Sequence, residues 1–177
     1  MKTITTFISA SNMKKVYTDA VVEFANKTTD YEIVFGGDPN GLMGTLGHAV
    51  VNANGNLTGV TTQVIIDSEG IFPGLHKEIR TETFDERKRT MIELSDYIVC
   101  FPGGSGTFEE IFQAISWGQC GFHESPYMFL NINGFYDLIE AHYALQLEEG
   151  VIGEDYLSRI AFPKSVDELL LLLKKED

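Results

Sequence analysis

Short apolar runs of strand-like character alternate with longer helical patterns along the whole chain. Strands are predicted at Ile4 to Ile8, Ile33 to Phe35, Leu57 to Val60, Val64 to Ile66, Ile79 to Thr83, Tyr97 to Phe101, Tyr127 to Leu130 and Ile160 to Phe162. Helices are predicted at Met13 to Asn26, Leu42 to Asn54, Asp85 to Leu94, Phe108 to Trp117, Phe135 to Glu149 and Val166 to Lys174. Several strands are almost entirely apolar, as expected where helices cover both faces of a sheet. The pattern predicts an α/β fold with a doubly wound, mainly parallel sheet, formed by residues 1–177 as a single domain.

Glycines at the junctions between strands and helices mark the candidate ligand site. In a doubly wound sheet, ligands bind where strands end and helices begin. Two junctions are rich in glycine: Gly36 to Gly44 follows the second predicted strand, and Gly103 to Thr107 follows the strand ending at Phe101. The longest irregular stretch, Asp67 to Lys77, is either a mobile loop or an ordered surface loop.

The net charge of the chain limits the kinds of ligand that it can bind. The chain has 13 basic and 26 acidic residues among 177, a net charge of −13. This excess of negative charge disfavours nucleic acid polymers and anionic membranes, because both require clustered Lys and Arg. A small anion can still bind, since the local field of a loop outweighs net charge at contact distance. A small-molecule ligand is therefore expected.

Cysteine and histidine give no sign of a metal or disulfide framework. Cys100 and Cys120 lack paired spacing and are expected to be buried free thiols in a reducing compartment. The histidines, His48, His76, His123 and His142, are scattered without metal-ligand spacing. No apolar run has the length of a signal peptide core or a membrane span, so a cytoplasmic location is expected.

The segment PGGSGTFEE, from Pro102 to Glu110, carries the strongest chemical signal. Its glycines permit close backbone approach, and amides at a following helix start form a cradle for a phosphate or another anion. The predicted substrate-binding residues in this loop are Gly103, Gly104, Ser105, Gly106 and Thr107. Thr107 and Glu110 also fit a capping box, in which Glu110 only bonds back to the Thr107 amide. A cap needs no three glycines before it, so ligand binding is the favoured interpretation.

Two better-known nucleotide motifs do not fit. Gly36 and Gly41 have the interval of a Walker A loop, but Leu42 and Met43 occupy the positions that require Lys and Ser or Thr. The loop around Gly104 does not extend to the dinucleotide pattern G-x-G-x-x-G, because Glu109 stands at the last position.

A charged run, Asp85 to Arg89, opens the helix that precedes the glycine loop. Taken alone, this run is typical of a solvated helix start. A parallel fold would bring it next to the loop, where Arg87 or Lys88 can meet an anionic substrate.

Together these residues resemble the Lonely Guy (LOG) family of cytokinin-activating phosphoribohydrolases, once widely labelled lysine decarboxylase-like. PGGSGTFEE is similar to the family motif PGGxGTxxE, and FDERK to its companion MxxRK. GLMG at Gly41 to Gly44 and the run from Trp117 to Glu140 are also similar, so the resemblance covers most of the chain.

The resemblance implies a Rossmann-like fold and a homodimer. It also implies hydrolysis of the N-glycosidic bond of a purine nucleoside 5′-monophosphate to free base and ribose 5-phosphate, without a cofactor. By motif position, Arg87 and Glu110 are the implied catalytic pair. Gly37 and Lys88 complete the predicted substrate-binding set. The dimer interface is expected to include the apolar helix Phe108 to Trp117.

Three departures from the family pattern leave the substrate pose and the preferred base open. Phe84 replaces the motif Met, Asp38 and Pro39 interrupt a glycine run, and Ser9-Ala10-Ser11 stands where Gly-Ser-Ser is more usual.

Two competing functions also stay open. A nucleotide-binding or sensing protein without turnover could share every glycine. A decarboxylase would need a lysine holding pyridoxal phosphate, and Lys88 is the only lysine near the motifs.

Overall fold

Seven parallel strands form one sheet in the computed structural model, which describes residues 1–174. The strands are β1 (Thr3–Phe7), β2 (Glu32–Phe35), β3 (Asn56–Thr62), β4 (Lys77–Thr81), β5 (Tyr97–Cys100), β6 (Tyr127–Phe129) and β7 (Ile160–Ala161). Their order across the sheet is β4-β3-β2-β1-β5-β6-β7. The predicted α/β, Rossmann-like class is therefore confirmed.

Helices connect the strands and cover both faces of the sheet. They are α1 (Lys15–Lys27), α2 (Gly41–Asn52), α3 (Gln63–Glu69), α4 (Phe84–Glu93), α5 (Ser105–Gln119), α6 (Asp137–Glu148), α7 (Glu154–Leu157) and α8 (Val166–Lys174). A 3₁₀ turn, Ile132–Gly134, precedes α6. None of the helices within the described part of the chain is long and apolar enough to cross a membrane.

Side chains of the central strands alternate between two hydrophobic clusters, one on each face. In β5, Tyr97 and Val99 pack in the cluster that contains residues of α1, α2 and α8, whereas Ile98 and Cys100 pack with residues of α4, α5 and α6. All four side chains are at most 1% exposed. Two-sided burial explains why the sequence of β5 is apolar at every position.

The order of the strands reverses beside β1. The chain runs outward from β1 through β2, β3 and β4, then returns to pair β5 with the other edge of β1, with Phe7 opposite Cys100. Loops leaving the carboxyl ends of β1 and β5 therefore diverge and open a crevice, which is where ligands bind in this class of sheet.

The predicted strand Val64 to Ile66 is wrong, because these residues lie in α3. The Thr62 side chain caps that helix by accepting a hydrogen bond from the Ile65 amide at 3.3 Å. None of the α3 residues is buried, so the sheet-forming preference of Val and Ile is not supported by packing. The irregular stretch predicted from Asp67 accordingly starts only at Gly70.

Three smaller expectations also need correction. Cys120 is exposed rather than buried, whereas Cys100 is fully buried as predicted. The helix predicted from Phe135 begins only at Asp137, because Phe135 ends the preceding 3₁₀ turn and Tyr136 is the N-cap residue, with a non-helical φ of −107° and ψ of 12°. The helix predicted from Phe108 begins one turn earlier, at Ser105.

Candidate functional site

The glycine loop after β5 leads directly into the amino end of α5. Gly104 is the N-cap residue, and no side chain caps the helix. The first helical hydrogen bond runs from the Phe108 amide to the Gly104 carbonyl at 3.0 Å. The amides of Ser105, Gly106 and Thr107 therefore have no carbonyl four residues back within the helix. An uncapped helix start at the reversal of strand order can bind an anion.

The three loop glycines serve different needs. A Cβ atom at Gly103 would lie 2.2 Å from Oγ1 of Thr107, so the packing of the chain itself requires glycine there. At Gly104 and Gly106, a Cβ atom would meet no heavy atom within 4 Å. The described part of the chain therefore leaves open space beside these two residues, and its own packing does not require glycine there.

Arg87, one turn into α4, is buried and holds three elements of the sheet region together. Its Nε donates to the Val60 carbonyl in β3 at 2.8 Å, and its Nη2 donates to the Gly36 carbonyl after β2 at 3.4 Å. Its Nη1 donates to Oε1 of Glu110 in α5 at 3.0 Å. A Cβ atom at Gly36 would lie 2.2 Å from Nη2, so glycine at this position makes room for the guanidinium.

Glu110 is the partner of Arg87 and not a helix cap. The capping-box interpretation is wrong, because α5 already begins at Ser105 and Thr107 lies inside its first turn. The Glu110 side chain is 13% exposed and that of Arg87 is 8% exposed. Burial raises the pKa of the Glu110 carboxyl, and the charge and hydrogen bond of Arg87 offset this rise only in part. The carboxylate is thus more basic than an ordinary Glu.

Lys88 is already engaged by acidic side chains. Its Nζ forms ion pairs with Glu109 and, at 3.3 Å, with Oδ1 of Asp85. Burial lowers the pKa of Lys88, but the hydrogen bonds and charges of Glu109 and Asp85 outweigh it, so the pKa is raised overall. The amine is therefore held in its charged form.

The second glycine junction packs against the loop that follows β1. Gly37 has a φ of +78°, and its carbonyl accepts a hydrogen bond from the Phe72 amide at 2.8 Å. The Met43 amide donates to the Ser9 carbonyl at 3.0 Å, and a Cβ atom at Gly41 would lie 2.2 Å from the Ala10 carbonyl oxygen. The loops after β1 and β2 are therefore in direct contact.

The structure brings Arg87 and Glu110 into contact and sets the glycine loop one turn before Glu110 on the same helix. Lys88 lies beside the pair, with its charge shared by its acidic partners. Sequence reasoning missed the Gly36 and Val60 carbonyls that hold Arg87. The paired glycines after β2 hint at Gly36, but nothing in the sequence marks a carbonyl of Val60.

No group of three or more His, Cys, Asp or Glu side chains within residues 1–174 is arranged to hold a metal ion. His123 instead bonds the Ala114 carbonyl at 2.9 Å, and His48 packs edge-on against Phe72.

Comparison with known proteins identifies the family. A protein-family profile described as "Possible lysine decarboxylase" matches residues 43–173. The chain is 32% identical over 169 residues to cytokinin riboside 5′-monophosphate phosphoribohydrolase LOG of Oryza sativa subsp. japonica, covering 94% of this chain and 70% of that protein. It is 30% identical over 169 residues to LOG2 of Arabidopsis thaliana, covering 94% of this chain and 79% of its relative. The chain belongs to the LOG family.

Solved structures share the fold of this LOG-family chain at lower sequence identity. The molybdenum cofactor binding protein from Rippkaea orientalis aligns with a TM-score of 0.74 and 15% identity, over 98% of this chain and 96% of its own. A structural genomics target, TM1055, aligns with a TM-score of 0.73 and 20% identity, over 99% of both chains. At these identities the likeness concerns the fold alone.

The two kinds of glycine in the loop of this LOG-family protein should respond oppositely to alanine. We expect Gly103→Ala to lower the free energy of unfolding by about 1–3 kcal/mol, because the methyl group overpacks against Thr107. Gly106→Ala should leave it unchanged or raise it by up to about 1 kcal/mol, because the added methyl group meets only open space within a helix. Urea unfolding measures both. Equal destabilisation by the two substitutions would contradict this division.

The charge of Arg87 should set the acidity of Glu110. In Arg87→Met, burial of the carboxyl remains while the neighbouring cation is lost, so the pKa of Glu110 should rise further. A pH titration of side-chain carboxyl carbons by NMR measures the shift, with the Glu110 signal assigned by its loss in Glu110→Gln. Arg80→Met is the control, since Arg80 is exposed and pairs with Glu78. A pKa that stays constant or falls in Arg87→Met would show that Arg87 does not stabilise the charged form.

Proposed function

We propose that this chain hydrolyses the N-glycosidic bond of purine nucleoside 5′-monophosphates, of cytokinin type or AMP-like, to free base and ribose 5-phosphate. The observation that carries the proposal is the buried contact between Arg87 Nη1 and Glu110 Oε1 at 3.0 Å, one turn beyond an uncapped helix start. Its relatives in the LOG family, named as cytokinin riboside 5′-monophosphate phosphoribohydrolases, support the same reaction class.

The phosphate of the substrate is assigned to the glycine loop. Three amides without a hydrogen-bond partner among residues 1–174, together with the positive end of the α5 dipole, favour a doubly charged anion even in a protein with a net charge of −13. Open space at Gly104 and Gly106 allows phosphate oxygens to approach the backbone closely. The remote phosphate then supplies binding energy that positions the ribose for reaction.

Glu110 and Arg87 are assigned the catalytic roles. Breakage of the bond between C1′ and the base nitrogen develops positive charge on the sugar, which a nearby carboxylate stabilises. Glu110 can also take a proton from the water whose oxygen bonds to C1′, and its raised pKa makes it a stronger base. Arg87 orients Glu110 and favours its charged form. The departing base gains a proton as it leaves, so the overall reaction consumes one water.

The decarboxylase description fits the lysine chemistry of the site poorly. A Schiff base with pyridoxal phosphate requires a lysine amine that loses its proton readily. Lys88, the lysine nearest the motifs, has a raised pKa and two acidic partners, which oppose that loss. The proposed hydrolysis uses no cofactor, since water is the only co-reactant.

The second candidate function is nucleotide binding without turnover. The glycine loop would serve a sensor equally well, because anion binding needs only the free amides. The Arg87–Glu110 pair favours the enzyme: burying an ion pair is costly, and a binding site for a phosphate gains nothing from a carboxylate.

Replacement of the catalytic pair tests the proposal directly. Glu110→Gln keeps the shape of the side chain and an acceptor for Arg87 but removes the base, so turnover should fall by about 10²–10⁴-fold. Arg87→Ala should abolish hydrolysis as well. Release of free adenine from AMP, followed by chromatography, measures activity, and thermal unfolding confirms the fold. Glu148→Gln removes the same charge from an exposed site on α6 and should retain full activity. Normal turnover in folded Glu110→Gln would eliminate the catalytic assignment.

Removal of the substrate phosphate tests the loop. We expect kcat/KM for adenosine to be about 100-fold or more below that for AMP, because the helix-start contacts to a charged phosphate are lost. Adenine release from both substrates under matched conditions gives the comparison. Equal values would mean that the glycine loop does not hold a phosphate in the reactive complex.

We also propose that the protein is a homodimer through the α5 face. Phe112 on α5 and Phe122 just after it are exposed by 40% and 75%, whereas Ile115 is buried in its own chain and is unavailable for the interface. Light scattering at micromolar concentration should give twice the mass of 19.7 kDa. Phe112→Glu should shift the protein towards monomer. A monomeric mass with full activity in the unmodified protein would refute the dimer.

A further inference from the structure

A buried carboxylate near the proposed site has no role in the Arg87–Glu110 pair. Asp38 lies three residues after the end of β2 and is only 6% exposed. Its Oδ1 accepts hydrogen bonds from the Asn40 amide at 2.7 Å and from Asn40 Nδ2 at 2.9 Å. Its Oδ2 has no hydrogen-bond partner among residues 1–174, and it is not one of the fully enclosed side-chain atoms without a partner. One oxygen is thus fixed by the loop while the other is free to accept.

The backbone of Asp38 lies near the guanidinium of Arg87, on the other side of Met43. The Asp38 amide donates to Met43 Sδ at 3.3 Å. A Cβ atom built on Gly36 would lie 3.0 Å from that sulfur and 2.2 Å from Arg87 Nη2. The Asp38 backbone is therefore separated from the Arg87 guanidinium by little more than the Met43 sulfur and the space at Gly36.

The spacing of the strands relates Asp38 to the glycine loop. β2, β1 and β5 are consecutive in the sheet, so the carboxyl ends of β2 and β5 are about 10 Å apart. A ribose 5-phosphate with its phosphate on the α5 amides would reach the loop that carries Asp38 if its sugar extends from β5 towards β2. The negative charge of Asp38 repels the phosphate but attracts hydroxyl donors, which fixes the direction of the sugar.

We propose that Asp38 Oδ2 accepts a hydrogen bond from the ribose 2′-hydroxyl and makes the site selective for ribonucleotides over 2′-deoxyribonucleotides. The proposal rests on the proposed nucleotide site, with the phosphate on the glycine loop. In dinucleotide-binding sheets a carboxylate accepts from a ribose hydroxyl near the strand reversal, and Asp38 lies at the carboxyl end of β2, beside the reversal in this sheet. The bond is charge-assisted and partly shielded from water, so its loss should be measurable.

The test compares AMP with 2′-deoxy-AMP in the unmodified protein and in Asp38→Asn. The substitution keeps the Oδ1 acceptor for Asn40 but places an NH₂ group where Oδ2 accepts. The ratio of kcat/KM for AMP to that for 2′-deoxy-AMP should fall by about 10- to 100-fold in Asp38→Asn. The greater intrinsic lability of the deoxynucleotide bond cancels, because it is common to both proteins.

Asp67→Asn is the matched control, since it removes the same charge from an exposed position on α3. It should leave the substrate ratio unchanged. An unchanged ratio in Asp38→Asn, or an equal loss with both substrates, would overturn the assignment and reduce Asp38 to a residue that shapes its loop.

Binding separates this inference from the hydrolase proposal. Dissociation constants of AMP and 2′-deoxy-AMP, measured by calorimetry in Glu110→Gln with and without Asp38→Asn, should show the same loss of discrimination. If no monophosphate is hydrolysed but Asp38 still controls this binding ratio, the hydrolase proposal fails and the role of Asp38 stands. If AMP is hydrolysed and neither ratio changes in Asp38→Asn, the hydrolase proposal stands and the proposed role of Asp38 fails.

Discussion

The burial of the Arg87 guanidinium is the constraint on which the arrangement of the candidate site depends. A buried cation is costly unless its donors are satisfied, and here the Val60 and Gly36 carbonyls and the Glu110 carboxylate accept from it. These acceptors come from β3, the loop after β2, and α5. The guanidinium therefore ties α4 to both sides of the strand reversal, and it favours the charged form of the Glu110 carboxyl, which burial disfavours.

Close packing around the candidate site also explains where glycine is required. Gly36 gives space to Arg87, Gly103 gives space to Thr107, and at Gly44 a Cβ atom would lie 2.0 Å from the Pro39 carbonyl oxygen. These positions are fixed by the chain's own contacts. Gly104 and Gly106 meet no such contact, so their backbone is free to face a ligand. The helix start at α5 is thus tightly packed at Gly103 and open beside Gly104 and Gly106, which suits close binding of an anion.

Local electrostatics at the site differ from the average of the molecule. The net charge of −13 describes the whole surface, whereas the site contains the positive end of a helix dipole and a buried Arg. The Glu110 carboxylate contacts this Arg and lies on the helix that begins at the glycine loop. Such alternation of charge over a few ångströms can orient a ligand that carries a phosphate at one end and hydroxyls in the middle.

The sequence by itself determined the α/β class, the positions of most strands and helices, the family and the two motifs. It could do so because two features are local in the sequence: the alternation of strand-like and helical hydrophobic patterns, and the glycines at the junctions between strands and helices. It misjudged Val64 to Ile66, where a Thr62 cap and the absence of burial outweigh β-propensity, and it left Glu110 open between a helix cap and a catalytic residue. Only the tertiary structure decided that Glu110 pairs with Arg87 and which carbonyls hold the guanidinium. Backbone carbonyls are chemically alike at every residue, so the sequence does not mark those that face Arg87. Their direction in space is set by the packing of strands that are distant in the chain.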